Sequence, residues 1–170
     1  SGIFVTFILG AMGADYYPRL TAAASDHEAV KRLVNEQTEI GLLLAVPGLL
    51  ATLSLAPWII RIFYTEAFLP AADLLQWFIL GCMGQVISWP LGFVMLAQGK
   101  GKWFFATETL ANTLHLGLIW WGLVTFGIEG VAIGFFILHL VYIVGVYGVA
   151  RHLTNFHWSS ACSRLMLWIV

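Results

Sequence analysis

Long apolar runs separated by short polar segments dominate the chain. Four runs are each about 20 residues or longer, enough for a helix to cross about 30 Å of hydrocarbon at 1.5 Å per residue. The four predicted spans are 40–63, 74–97, 103–126 and 130–150. Two shorter apolar runs, at 1–14 and 165–170, are interpreted as parts of two further spans. The pattern therefore predicts an all-α fold, a polytopic transmembrane helix bundle that forms a single region over residues 1–170.

The segment 26–39 is more polar than the runs around it. Ser25 and Glu28 have the spacing of a capping box at a helix N-terminus. A narrow apolar stripe follows at helical spacing, formed by Val30, Leu33 and Val34. We expect a short amphipathic cytoplasmic helix that leads into the first span, the alternative being a solvated connector.

Composition supports the membrane interpretation and narrows the possible functions. Only 10% of the residues are charged and 60% are hydrophobic, against about 25% charged in a typical soluble domain. A chain of 170 residues has too little interior to hide that much apolar surface from water. No basic patch suited to nucleic acid is present. Two cysteines without metal-ligand spacing predict neither a disulfide framework nor a metal site, and we expect no cofactor.

The basic residues alternate between the predicted connecting segments. Seven of the eight lie on every second connection, as four crossings require, and Arg61 is the exception. The seven are Arg19, Lys31, Arg32, Lys100, Lys102, Arg151 and Arg164. Since cytoplasmic loops carry the excess of Lys and Arg, their side of the bundle is predicted to be cytoplasmic.

Polar side chains inside the predicted spans are candidates for a substrate pathway, because each is costly unless it faces protein or water. Glu108, Asn112 and His115 lie on one face of the third span. Gln85 and His139 lie near the midpoints of the second and fourth spans. We expect these five residues to form a polar band along a central pathway. The alternative is that they hydrogen-bond one another between helices, at about 0.6 kcal/mol each.

Small residues recur at intervals of four in two spans. They are Gly84, Ser88 and Gly92 in the second span and Gly130 and Gly134 in the fourth. Such stripes let helix backbones approach closely, so a packing role is expected. No motif of hydrolytic or metal-dependent catalysis is found, and the predicted outer connections are short. The chain is therefore not expected to be an enzyme.

Several segments resemble O-antigen translocases and related polysaccharide transporters, which belong to the multidrug/oligosaccharidyl-lipid/polysaccharide exporter superfamily. The segments, in chain order, are ADYYPRLT (14–21), RLVNEQTE (32–39), APWIIRIFY (56–64), AFLPA (67–71), SWPLG (88–92), QGKGKW (98–103) and FGIEGVA (126–132). Their order and spacing cover nearly the whole chain. The resemblance implies a fold of two six-helix halves, with this chain as part of one half, expected to be the C-terminal one.

The resemblance also implies a function, a location and partners. It implies a flippase that moves a lipid-linked oligosaccharide across the bacterial inner membrane as a multi-pass protein. The expected partners are that lipid-linked oligosaccharide, membrane lipids and the remainder of the same transporter chain, without which the cleft between halves cannot form. Arg19 and Arg61, at opposite faces, are candidates for binding the pyrophosphate head group. A drug/cation antiporter of the same superfamily and a membrane-embedded glycosyltransferase or ligase remain alternatives.

Overall fold

The computed structural model describes residues 2–63 and 70–169, with the side chains of residues 5–58, 62 and 74–167. The described residues form six α-helices joined by short connections. The helices are α1 (Gly2–Ala22), α2 (His27–Phe63), α3 (Pro70–Ala97), α4 (Gly101–Phe126), α5 (Ile128–Thr154) and α6 (Ser160–Ile169). The all-α prediction is confirmed.

Three of these helices are long and apolar enough to cross a membrane, with candidate spans His27–Trp58, Leu74–Ala97 and Ile128–Thr154. The outer surface is also apolar: Phe105, Leu116 and Val144 are each more than 70% exposed, which suits contact with lipid. The chain is therefore a membrane protein. Helix α4 is long enough to span, but its polar residues make it less apolar than these three candidate spans. The span 103–126 therefore stays a prediction.

The connections alternate between the two ends of the bundle. One buried cluster joins the C-terminal parts of α1, α3 and α5 to the N-terminal parts of α2 and α4. Its members include Tyr16, Leu20, Val30, Val34, Leu91, Met95, Val146 and Ala150, with Phe104 packed against them. Successive helices therefore run in opposite directions, which is the arrangement that the alternating Lys and Arg residues predicted. Which end faces the cytoplasm stays a prediction.

Helix α3 is the centre of the bundle and packs against α1, α2, α4 and α5. Its span is two-thirds buried (67%), whereas the α2 and α5 spans are each 28% buried. The helix contains Pro90, and the Tyr16 hydroxyl of α1 donates a hydrogen bond of 2.9 Å to the Pro90 carbonyl oxygen. Since Tyr16 is only 1% exposed, this bond ties α1 to α3 inside the protein.

Helix α2 runs without interruption through the segment that was predicted to be a short amphipathic helix leading into the first span. Asp26, rather than Ser25, caps it: its Oδ1 accepts hydrogen bonds from the backbone N–H groups of Glu28 and Ala29 at 3.0 and 3.1 Å. Glu28 forms an ion pair with Lys31 instead of completing a capping box. The predicted apolar stripe is buried in the core. The capping-box prediction was therefore wrong. The segment is helical and amphipathic as predicted, but it forms the first turns of α2 and packs into the core, and its cytoplasmic location stays a prediction.

The two predicted partial spans are parts of longer helices. Helix α1 continues eight residues beyond the expected end at residue 14, through Pro18 to Ala22. Its last turns carry Tyr16 and Leu20 into the core, and this burial stabilises a helical segment that hydropathy alone places outside the span. Helix α6 begins at Ser160, five residues before the apolar run at 165–170.

Helices α4 and α5 form a tight hairpin through Gly127, whose φ of +67° suits glycine. Next to the turn, the two backbones lie closer than any side chain allows. A Cβ atom built on Gly122 would lie 2.1 Å from the Gly130 carbonyl oxygen, and one on Gly130 would lie 2.0 Å from that of Gly122. Gly134 approaches the Leu118 backbone less closely: a Cβ there would lie 3.0 Å from the Leu118 carbonyl oxygen. The predicted packing role of Gly130 and Gly134 is confirmed.

The connection between α5 and α6 docks on α2 through a buried asparagine. Asn35 accepts a 2.7 Å hydrogen bond from the Ser159 backbone N–H and donates from its amide to the His157 carbonyl oxygen at 3.3 Å. The Ser159 hydroxyl donates to Glu39 at 3.0 Å and accepts from the Cys162 N–H, which caps α6. We call Asn35, Glu39 and residues 157–159 the linker clasp.

Candidate functional site

Helices α3 and α4 diverge from each other while both pack on α5. The close approach of α3 to α5 depends on Gly84, since a Cβ there would lie 2.9 Å from the Cβ of His139. The close approach of α4 to α5 depends on Gly122 and Gly130. Because α3 and α4 contact each other far less than either contacts α5, a groove opens between them with α5 as its floor.

This groove contains a cavity of about 380 Å³ that is lined by both polar and apolar side chains, within the range of about 300–1,000 Å³ of small-molecule sites. Its lining residues come from all three helices. They are Gln85, Ser88, Trp89, Gly92 and Phe93 of α3, Phe104, Glu108, Ala111 and Asn112 of α4, and Leu138, His139 and Tyr142 of α5. Four of the five residues predicted for the pathway, Gln85, Glu108, Asn112 and His139, thus lie around one cavity.

Hydrogen bonds fix the orientation of the polar groups. The Tyr142 hydroxyl of α5 donates to the Glu108 carboxylate of α4. This bond links the floor of the cavity, formed by α5, to the wall formed by α4. The Asn112 amide donates to the Glu108 backbone carbonyl at 2.8 Å. His139 Nδ1 lies 2.9 Å from the Phe135 carbonyl oxygen. A carbonyl oxygen only accepts, so Nδ1 carries the proton, and in the neutral ring Nε2 is left as an acceptor.

His115 is not among the residues that line this cavity, and its place in the pathway stays a prediction. Its ring lies 6.1 Å from the ring of Phe135, which also contacts the His139 ring at 4.4 Å. Both histidines therefore pack against the same aromatic side chain of α5. These contacts place both histidines where α4 meets α5, but only His139 lines the cavity.

Aromatic side chains form the wall that sequence analysis missed. The Trp89 and Phe93 rings lie 4.6 Å apart on α3, and α1 supports them with Tyr16, 5.8 Å from Trp89, and Tyr17, 5.6 Å from Phe93. Residues 85, 88, 89 and 92 follow the three- and four-residue spacing of one helix face. That spacing from Gln85 was the available signal, but aromatic residues in an apolar span resemble lipid-facing ones.

The two head-group candidates lie elsewhere. Arg19 is exposed in the last turn of α1 and forms ion pairs with Asp15 at 3.2 Å and with Glu36 at 4.0 Å. A pyrophosphate would have to compete with these two carboxylates. Arg61 lies in the last turn of α2, and its side chain is outside the described residues. A head-group role stays a prediction for both arginines.

Within the part of the chain that the structure describes, no group of three or more His, Cys, Asp or Glu side chains is placed to hold a metal ion. The cavity instead offers hydrogen-bond donors and acceptors beside aromatic faces. That chemistry suits a polar organic ligand with both hydroxyl groups and apolar C–H faces.

Comparison of the chain with protein-family models, with curated proteins and with solved structures finds no match.

Proposed function

We propose that the chain is part of a flippase that moves a lipid-linked oligosaccharide across the bacterial inner membrane. The observation that carries the proposal is the cavity in the groove between α3 and α4, which brings hydrogen-bonding groups together in a helix bundle whose outer surface is otherwise apolar. Gln85, Asn112 and His139 offer hydrogen-bonding groups there. A glycan needs such groups, because an unmade hydrogen bond in hydrocarbon costs several kcal/mol.

The resemblance to O-antigen translocases supports the same proposal independently of the cavity. Under this proposal the chain contributes one wall of a larger translocation path, and the rest of the transporter contributes the facing wall. The glycan passes through the groove while its lipid tail stays in the bilayer. The path opens to the two sides in turn as the halves of the transporter rock against each other.

The proposal is tested by export of surface glycan from a strain whose own copy of the gene is replaced by variants. Gln85→Leu and His139→Leu remove hydrogen-bonding groups from the cavity, and we expect reduced surface glycan with lipid-linked oligosaccharide accumulating inside. Gln76→Leu on α3 and His152→Leu on α5 are matched controls, because both residues are exposed and outside the cavity. Protein abundance is measured by immunoblot.

Unchanged export by the Gln85→Leu/His139→Leu double variant, at unchanged abundance, would contradict the flippase proposal. His115→Leu is informative in the same assay: His115 lies outside the cavity, so we expect export close to that of the native protein.

A drug/cation antiporter is the second candidate, and Glu108 favours it. This carboxylate lies only five residues after the start of the predicted third span, yet it lines the same cavity as Gln85 and His139. An antiporter would use such a group to bind a cation. Efflux of a cationic dye that disappears in Glu108→Gln, with surface glycan unaffected by Gln85→Leu, would favour the antiporter over the flippase.

A further inference from the structure

The charge of the cavity differs from what an acidic ligand would need. Glu108 contributes a carboxylate, and none of the described residues that line the cavity is Lys or Arg. Arg19 of α1 is exposed, lies outside the lining and is paired with Asp15 and Glu36. The cavity therefore carries negative charge without a permanent positive counterpart among its described lining residues.

Glu108 is held where its charge acts on a bound ligand. The Tyr142 hydroxyl donates to the carboxylate across the floor of the cavity, which holds the carboxylate beside the space that a ligand would occupy. Consider a ligand whose own carboxylate lies about 7 Å from that of Glu108, in surroundings of effective dielectric constant about 20 to 40. Repulsion between the two carboxylates would make it bind about tenfold or more weakly than the same ligand with a neutral group there. An ammonium group at the same place would be attracted instead.

The aromatic wall acts in the same direction. Trp89, Phe93 and Phe104 line the cavity, and aromatic faces carry partial negative charge. They attract the C–H faces of a sugar ring and, more strongly, a cationic substituent. A carboxylate gains nothing from such a surface. Two independent features, one carboxylate and one aromatic wall, thus select against acidic sugars.

Resting on the proposed function, we propose that this cavity binds neutral and amino-substituted sugars and rejects sugars that carry a carboxylate, such as uronic acids. The Glu108 carboxylate is the specificity-determining group. Asn112 and His139 supply hydrogen bonds that all three classes of sugar can use, so these two residues affect affinity without affecting the choice between charges.

The test is a binding measurement on the purified native-length protein in lipid nanodiscs. Three soluble disaccharides serve as probes: neutral di-N-acetylchitobiose, its diamino counterpart chitobiose, and a disaccharide of glucuronic acid and N-acetylglucosamine. Binding is followed by tryptophan fluorescence, and Trp89→Phe assigns the signal to the cavity. We expect the acidic probe to bind about tenfold or more weakly than the neutral one.

Two variants distinguish an effect of the Glu108 charge on binding from an effect of substitution on folding. Glu108→Gln should bring the acidic and neutral probes to within about threefold of each other, since it keeps the size of the side chain and removes the charge. Glu129→Gln is the matched control: Glu129 is exposed in the first turn of α5 and outside the cavity, so the discrimination should persist. The unfolding temperature of each variant is measured alongside.

Equal binding of acidic and neutral probes by the native protein would overturn the inference, as would full discrimination in a folded Glu108→Gln variant. Absence of binding by all three probes would overturn it too. The export assay with Gln85 and His139 judges the flippase proposal separately: loss of export in those variants, combined with equal binding of all probes, would remove only the charge inference.

Discussion

The glycine contact between α4 and α5 gives the sharpest stability prediction. Gly122→Ala places a methyl group 2.1 Å from the Gly130 carbonyl oxygen, about 1.3 Å closer than ordinary van der Waals contact. The neighbour is backbone in a helix, so it cannot swing aside, and the two helices must separate. Overpacking of this kind costs about 1–3 kcal/mol.

The matched control is Gly117→Ala on the same helix, because a Cβ there would meet nothing within 4 Å. Both substitutions gain the same intrinsic helix propensity, up to about 1 kcal/mol, so that gain cancels in the comparison. We therefore expect Gly122→Ala to be about 1–3 kcal/mol less stable than Gly117→Ala. The double variant Gly122→Ala/Gly130→Ala should lose less than the sum of its single losses, since one separation of the helices accommodates both methyl groups.

Reversible unfolding in mixed detergent micelles, followed by circular dichroism, measures these differences. Equal stabilities of Gly122→Ala and Gly117→Ala would refute the argument that the two backbones are in contact. Strictly additive losses in the double variant would show that each glycine acts alone, which the reciprocal 2.0 and 2.1 Å approaches exclude.

Three further predictions concern other parts of the bundle. Tyr16→Phe should lower the unfolding free energy by about 1–3 kcal/mol in the same assay, because it leaves the Pro90 carbonyl oxygen without its 2.9 Å donor. In a Cys82→Ala background, Cys162 should resist maleimide at pH 7.5, because burial and the Glu39 charge raise the pKa of its thiol to about 12 and only the thiolate reacts. Asn35→Ala should open the linker clasp and speed labelling of Cys162. Equal labelling rates with and without Asn35→Ala would contradict the role of the clasp. Single cysteines placed near Lys31, Lys100 and Arg151 should be labelled only from the cytoplasm, and labelling of the Lys100 position from outside would overturn the predicted orientation.

The helices were largely predictable because long apolar runs leave few alternatives to a spanning helix. Their ends were less so. The N-terminal part of α2 is polar enough to resemble a surface segment, yet Val30 and Val34 are buried against other helices. Only the tertiary structure shows the partners that hold this segment in the same helix as the first span.

The candidate site was predictable where the depth of a residue in its span decides whether it lines the cavity, and unpredictable where the packing of one helix on another decides it. Gln85 and His139 were identified from their depth, and both line the cavity. His115 lies three residues after Asn112 and shares its helix face, but the cavity ends before it, where α4 packs closely on α5, and its ring lies against Phe135. Periodicity groups residues on a face, and it does not say which neighbour that face meets.

The linker clasp also sets an order of events during synthesis. Asn35 cannot form its hydrogen bonds with the Ser159 N–H and the His157 carbonyl oxygen until those residues are synthesised, and both lie more than 120 residues later in the chain. At about 5–20 residues per second, roughly 6–25 s pass between the synthesis of Asn35 and that of its partners. During that interval the ribosome completes all of α3, α4 and α5. Until then the Asn35 amide has only its partner within α2, the Lys31 carbonyl oxygen, and the linker clasp forms only after these three helices have been made.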